Sequence, residues 1–180
     1  MIAGSLAKRY ARALVEVAAS SGELDPVSRE LGEFAALLRE QRPLRLFFAN
    51  PSIQRRGKVA VCEQIATKLG VRPLTSSFLR VLLEAGRLGE LESVLRAYEG
   101  LVDERLGRVK AVVTSAVPLA AETQEQLRQQ LQARLGKQVY LETRQDPGLL
   151  GGMVTRIGSV LYDGSLKTRL LKLREELVQG

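Results

Sequence analysis

The sequence contains no histidine and no tryptophan, and it has a single cysteine, Cys62. Without histidine, neither a Cys/His metal site nor the Ser–His and Cys–His pairs of nucleophilic enzymes can be assembled. One cysteine cannot form an internal disulfide. Because Cys62 lies among Val59, Ile65 and Ala66 on a helical stripe, we expect a small buried hydrophobic residue rather than a nucleophile.

Aromatic residues and long apolar runs are also scarce. Aromatics make up 4% of a chain that is 45% hydrophobic, so the core is predicted to consist of Leu, Val and Ala, as is common in helix bundles. No run approaches the roughly 20 apolar residues of a membrane-spanning helix, and the N-terminus lacks the apolar segment of a secretory signal. The sequence predicts an intracellular protein that is soluble or peripherally attached to a membrane.

The formal net charge is +7, which raises the question of an anionic partner. Residues 1–107 carry 16 basic against 13 acidic residues and residues 108–180 carry 11 against 7, which together make the 27 and 20 of the whole chain. The excess is spread out and no basic tail is present, which is typical of an ordinary solvated surface.

Residues 1–107 follow the period of amphipathic helices. Helices are predicted to begin after Ser5, at Asp25-Pro26 and after Ser52, because Ser and Asp side chains are suited to the N-cap and Pro to the first helical position. Six such segments follow one another before Gly107. The pattern predicts an N-terminal six-helix bundle.

After Gly107 the pattern changes. A β-branched run over 109–117 predicts a strand, 122–135 a helix and 138–144 a second strand. The glycine-rich stretch 146–165 then predicts a hairpin of two short strands with a break at Gly158, and Ser165 is suited to cap a last helix. We assign residues 108–180 to a small C-terminal domain of βαββα order and the whole chain to the α+β class. The last helix is predicted from Leu166, Leu170, Leu173 and Leu177 on one face.

The glycines of the hairpin do not form a phosphate-binding loop. Gly148, Gly151 and Gly152 are not followed by Gly-Lys-Ser/Thr, and no helix is predicted to start there. Asp146 and Asp163 are each explained by a turn or a cap. No catalytic constellation, metal site or cofactor site is predicted, so the chain is expected not to be an enzyme.

Three landmarks in order along the chain carry a family resemblance. They are Arg9-Tyr10-Ala11-Arg12-Ala13-Leu14 near the start, Gly86-Arg87 in the middle, and a late string that contains Gly151-Gly152, Gly158 and Asp163-Gly164-Ser165. Together they resemble the delta subunit of bacterial rotary F-type ATP synthases, a relative of the mitochondrial oligomycin-sensitivity-conferring protein. One departure is Ala120, where the family usually has a capping Ser or Thr; Thr123 is then expected to cap a slightly shorter helix.

The resemblance implies a non-catalytic stator subunit of the proton-translocating enzyme. Residues 1–107 are expected to bind the N-terminal segments of the alpha subunits, and residues 108–180 the C-terminal ends of the b (or b/b′) subunits of the peripheral stalk. The chain is then expected at the cytoplasmic face of the bacterial plasma membrane, held there through the complex, with no nucleic acid and no small-molecule substrate.

The resemblance also implies where these partners bind. The alpha segment is expected in a groove between the first and fifth helices, and the b subunits around Met153, Val160, Leu161 and the last helix. The groove walls would be Tyr10, Ala13, Leu14 and Val17 on one side and Phe78, Val81 and Leu82 on the other.

A second interpretation remains open on the residues alone. A basic helical domain followed by a small α/β domain is also compatible with an RNA-binding or ribosome-associated module. Such modules usually show a basic stripe or aromatics placed for base stacking, and the eight Tyr and Phe residues lie mostly at apolar-stripe positions.

Overall fold

The computed structural model describes residues 2–149, 151–158, 160–166 and 168. The chain divides into two compact units, Met1–Val102 and Asp103–Gly180. The first is helical and the second contains a mixed sheet, so the predicted α+β class is confirmed.

The helical unit contains six α-helices and one 3-10 turn. Proline occupies one of the first two positions of two of the helices, at Pro43 and Pro73, where its missing N–H costs no hydrogen bond. The helices are α1 (Ile2–Ser20), α2 (Leu24–Glu40), α3 (Arg42–Ala49), α4 (Arg55–Leu69), α5 (Pro73–Glu84) and, after the 3-10 turn (Leu88–Glu90), α6 (Leu91–Arg105).

One apolar core joins α1, α2, α4, α5, α6 and the 3-10 turn. Tyr98 is its largest fully buried side chain, and its hydroxyl donates to the Leu24 carbonyl oxygen at 3.0 Å. Burial raises the pKa of Tyr98, so the phenol remains a neutral donor. The core also contains Cys62, as expected, and burial raises the pKa of its thiol to about 11.

A buried carboxylate links α2 to the start of α5. Glu30 is only 5% exposed and accepts hydrogen bonds from the Arg72 backbone N–H (3.1 Å) and from the Thr75 hydroxyl. The Arg72 guanidinium lies 3.9 Å from the same carboxylate. Arg72 is the N-cap residue of α5, so the negative charge also lies at the positive end of the helix dipole.

The predicted helix starts were less accurate than the helices themselves. Ser5 and Asp25 lie inside α1 and α2, and no side-chain cap is formed at α2. Before α4, the Ser52 N–H is bound by the Asn50 side-chain oxygen at 2.9 Å, and the helix begins only at Arg55. A capping preference alone therefore did not locate these helix starts.

The described part of the second unit contains β1 (Arg108–Ser115), α7 (Ala121–Leu135), β2 (Gln138–Gln145), β3 (Met153–Ile157) and β4 (Val160–Asp163). Its four strands form one sheet in the order β2-β1-β3-β4. Strands β1 and β2 are parallel and are connected through α7, whereas β1 pairs with β3 and β3 with β4 in antiparallel fashion. Ala111, Val139 and Ile157 are buried together, with Leu131 and Leu135 of α7 packed against them.

These elements correct two details of the prediction. The hairpin consists of two strands, as predicted, but the βαββα order counted one strand too few, because the described elements run βαβββ. The helix α7 begins after Ala120 with no side-chain cap, so Thr123 does not cap a shorter helix. Leu166 is helical, and the remainder of the predicted last helix, with Leu170, Leu173 and Leu177, lies outside the described residues.

Candidate partner-binding surfaces

The seven residues predicted to line a groove do not share one environment. Leu14, Phe78 and Leu82 belong to the core. Ala13, Val17 and Val81 are exposed, with 51% of Val17 and 49% of Val81 accessible. Tyr10 is half-buried and packs against the core. The structure thus separates a buried set from a set that is able to contact another molecule.

The three α1 residues outside the buried set lie on one side of that helix. Tyr10, Ala13 and Val17 are spaced by three and four residues, which places them on the same face. The guanidinium of Arg9, an N-terminal signature residue, lies 5.9 Å from the centre of the Tyr10 ring. The α1 surface therefore combines apolar side chains with a cation at its edge.

The Gly86-Arg87 landmark ends α5. Gly86 has φ +68°, its N–H donates to the Leu83 carbonyl at 2.9 Å, and the Arg87 N–H donates to the Leu82 carbonyl at 2.7 Å. This pair of bonds is a Schellman motif, which requires a left-handed residue. The Arg87 side chain forms an ion pair with Glu90 at 2.9 Å. The landmark therefore shapes the turn that leads towards α6.

The Gly151-Gly152 landmark allows two backbone segments to approach closely. Gly152 has φ +81°, and a Cβ there would lie 2.5 Å from the Gly164 carbonyl oxygen. The Gly164 N–H donates to the Met153 carbonyl, and the Leu166 N–H to the Gly151 carbonyl, both at 3.0 Å. The glycines therefore fit the hairpin against the turn that follows it.

Asp163-Gly164-Ser165 forms the helix start that the sequence predicts. One Asp163 oxygen accepts from the Ser165 N–H at 2.9 Å, and the other accepts from the Thr168 hydroxyl at 2.7 Å. The Ser165 hydroxyl oxygen accepts from the Thr168 N–H at 3.3 Å. Gly158 has φ +57° and lies at the bend between β3 and β4. These signature residues have local structural roles.

The sheet unit exposes apolar side chains along its edge. Strand β4 is an edge strand, and Val160 and Leu161 are 50% and 59% exposed. Tyr162 is also exposed, and the Arg134 guanidinium lies 5.6 Å from its ring centre. Met153, by contrast, is half-buried. An exposed apolar edge strand usually marks an interaction site.

The described part of the chain holds no group of three or more Cys, Asp or Glu residues arranged to bind a metal ion. None of its described helices is long and apolar enough to cross a membrane.

Comparison with known proteins decides the family. A family model described as "ATP synthase delta (OSCP) subunit" matches residues 6–177. The chain belongs to the ATP synthase delta (OSCP) subunit family. A delta subunit from Myxococcus xanthus is 41% identical over 99% of this chain and 100% of its own length, and one from a Geobacter species (strain M21) is 38% identical over the full length of both.

A solved structure agrees with this assignment. A chain of the Toxoplasma gondii mitochondrial ATP synthase hexamer, determined by electron cryo-microscopy, is 27% identical and superposes with a TM-score of 0.74 over 96% of this chain and 97% of its own. As a delta/OSCP subunit, the protein is a component of the peripheral stalk of ATP synthase. It is a stator subunit, distinct from the catalytic one, in a membrane-associated complex.

Proposed function

We propose that this delta subunit joins the catalytic alpha/beta head to the b-subunit stalk, so that the head resists rotor torque during ATP synthesis. Residues 1–107 bind the alpha N-termini, and residues 108–180 bind the b or b/b′ C-termini. The complex holds the chain at the cytoplasmic face of the bacterial plasma membrane. Such a joint requires stable binding at two separate surfaces and no bond-breaking chemistry, which is consistent with a non-catalytic subunit.

The observation that carries the proposal is that each unit exposes its own apolar side chains. In the helical unit these include Val17 and Val81, and in the sheet unit Val160 and Leu161. Apolar side chains that remain half accessible after folding are available to helices from other polypeptides. Two separate surfaces of this kind allow two partners to bind at once.

On the helical unit, the exposed face of α1 and Val81 of α5 are proposed to contact an alpha N-terminal helix. The buried members of the predicted set, Leu14, Phe78 and Leu82, lie in the core beneath and would support that surface without being its main contacts. We therefore restrict the contact set to Tyr10, Ala13, Val17 and Val81.

Replacement of one exposed residue tests this surface. We expect Val81→Asp to weaken binding of an alpha N-terminal peptide by about tenfold or more, equivalent to roughly 1.4 kcal/mol, because a carboxylate would be desolvated against apolar side chains. Isothermal titration calorimetry measures the affinity, and circular dichroism checks that the helices persist.

Leu46→Asp is the matched control, since Leu46 is 56% exposed on α3 and belongs to neither predicted wall. Equal affinities for the wild type and Val81→Asp would refute the α1–α5 placement.

The b-binding surface is tested in the same way. We expect Leu161→Asp to weaken binding of a b C-terminal fragment, while Val117→Asp, at a residue 65% exposed and outside the hairpin, leaves it unchanged. Retention of full b affinity in Leu161→Asp would remove β4 from the interface.

A further inference from the structure

A cleft of about 410 Å³ opens on the helical unit, and its lining includes none of the residues assigned to the alpha-binding surface. It lies between the end of α2, the short helix α3, the first turn of α4 and the end of α5. We refer to it as the α3 cleft. Its apolar lining is Leu38, Phe48, Ala49, Pro51, Leu83 and Leu88.

A second hollow extends the α3 cleft into a groove. This hollow, of about 340 Å³, shares Pro51, Lys58 and Leu83 with the cleft and continues towards Ile53 and Arg55. The two hollows therefore adjoin, and together they extend from Leu38 of α2 to Arg55 at the start of α4. Hollows that join several elements in this way can receive a segment of chain.

Helix α3 is the wall that the fold leaves incompletely covered. It alone among the six helices of this unit has no buried residue. Its two aromatic side chains, Phe47 and Phe48, are half-buried, and their rings meet edge to face at 5.4 Å. An amphipathic helix normally buries its apolar stripe, so part of the α3 stripe remains available to a partner.

The charges at the groove have one sign. Arg45 and Lys58 line the cleft, Arg55 lines its extension, and neither lining includes an Asp or Glu. The Lys58 ammonium donates to the Phe48 carbonyl at 2.7 Å, which uses one of its three donors. None of the three cations forms an ion pair with a described carboxylate. The groove thus presents unneutralised positive charge beside apolar walls.

We propose that the α3 cleft binds a second amphipathic helix from a neighbouring polypeptide, one whose apolar face is flanked by acidic residues. An apolar side chain of that helix would enter the cleft, and its carboxylates would pair with Arg45, Lys58 and Arg55. The helical unit offers no sheet edge for an extended peptide, so helix-in-groove binding is the mode available here. This inference goes beyond the proposed function because it adds a docking site that is independent of the α1–α5 surface.

The probe is a synthetic amphipathic helix of about 18 residues, long enough to be helical in water, with Leu along one face and Glu beside it. A second peptide carries Lys in place of each Glu. Both are titrated against the full chain by fluorescence anisotropy at low and high salt. We expect the acidic peptide to bind at least tenfold more tightly than the basic one, with the difference reduced by salt.

A substitution that fills the cleft tests whether the peptide binds there. Gly89 lines the cleft, and a Cβ at this position would meet no atom within 4 Å. The Gly89→Leu variant is therefore expected to fold normally and to bind the acidic peptide at least tenfold more weakly than the wild type. Gly100→Leu is the matched control, because Gly100 is exposed on α6 with equally open space. Val81→Asp should also leave this affinity unchanged.

Three outcomes would overturn the proposal. The first is wild-type affinity in Gly89→Leu, and the second is a loss seen in Val81→Asp instead, which would place the peptide on the α1–α5 surface. The third is a wild-type chain that does not bind the peptide but self-associates in sedimentation equilibrium, with the association abolished by Gly89→Leu. The cleft would then bind a second copy of this chain.

Discussion

The two units of this protein are held together in different ways. In the helical unit a continuous core takes buried residues from five helices, and α2, α5 and α6 supply its fully buried Leu, Val, Phe and Tyr side chains. In the described part of the sheet unit, the buried cluster of Ala111, Val139 and Ile157 is much smaller. Backbone geometry at Gly152 and ion pairs on the sheet surface contribute there instead. The stability of the helical unit therefore depends on the burial of large apolar side chains, and that of the sheet unit on close backbone contacts and surface ion pairs.

The largest expected effect comes from removing packed volume in the helical unit. Leu82→Ala should lower the free energy of unfolding by about 2–5 kcal/mol, because Leu82 is fully buried and its loss leaves a cavity. Val81→Ala, one residue earlier and half exposed, should change it by less than about 0.5 kcal/mol.

Hydrogen exchange resolved by residue, over 5–102 and 103–158, assigns each loss to its unit. Equal losses for the two variants would mean that packing does not dominate the helical unit.

The corresponding change in the sheet unit is Gly152→Ala, which adds a single methyl group. We expect the free energy of unfolding to fall by about 2–3 kcal/mol, because a residue in the left-handed conformation gains a Cβ that meets the Gly164 carbonyl. Gly158→Ala in the same hairpin is the control: Gly158 is also left-handed but has open space around it, so it should lose only about 1 kcal/mol. Equal losses of unfolding free energy in the two variants would mean that the left-handed conformation alone, and not the contact with Gly164, determines the cost.

The buried carboxylate tests whether the helical unit also depends on polar contacts. Glu30→Gln should lower the free energy of unfolding by about 2 kcal/mol, because it weakens the buried charge-assisted hydrogen bonds from Arg72 and Thr75. Glu33→Gln on the exposed side of α2 is the control. Urea denaturation followed by helical circular dichroism provides the measurement, and a neutral Glu30→Gln would assign the stability of this unit to apolar packing alone.

The smallest expected effect is the acid dependence of the sheet. The hydrogen bond from Lys110 and that from Arg144, each at 2.6 Å, lower the pKa of Glu142. Its contribution is therefore complete above the unfolded pKa of about 4.3 and is lost as the pH falls through the lower folded pKa. Because the group is about one third exposed, we expect less than about 1 kcal/mol.

Stability curves from pH 7 to pH 2 for the wild type and Glu142→Gln should differ above pH 4 and converge in acid. A constant offset between the two curves over the whole pH range would contradict the lowered pKa of Glu142.

Periodicity predicted the elements well and their ends poorly. The six helical segments and the hairpin broken at Gly158 follow from repeating apolar spacing and from glycine, both of which are local properties. The helix starts at Asp25 and Ser52 were wrong by one to three residues, since α2 begins at Leu24 and α4 at Arg55. Glu30, which binds the N-terminus of α5 from α2, carried no sequence signal, since its partners are more than 40 positions away.

The candidate surfaces show the same division. The spacing of Tyr10, Ala13 and Val17 indicated one helix face, but only packing decided that Leu14, Phe78 and Leu82 are core. The α3 cleft was missed entirely. Its only signal was a short helix with apolar and basic residues, and its lining comes from four separate segments.

The sequence by itself determined the family, the order of helices and strands, and the positions at which glycine is required, because these depend on neighbouring residues and on motifs read along the chain. The tertiary structure alone decided which apolar side chains are buried and which remain accessible, where Glu30 finds its donors, and where a cleft remains open. Burial depends on what packs opposite a side chain, and that neighbour comes from a distant part of the chain.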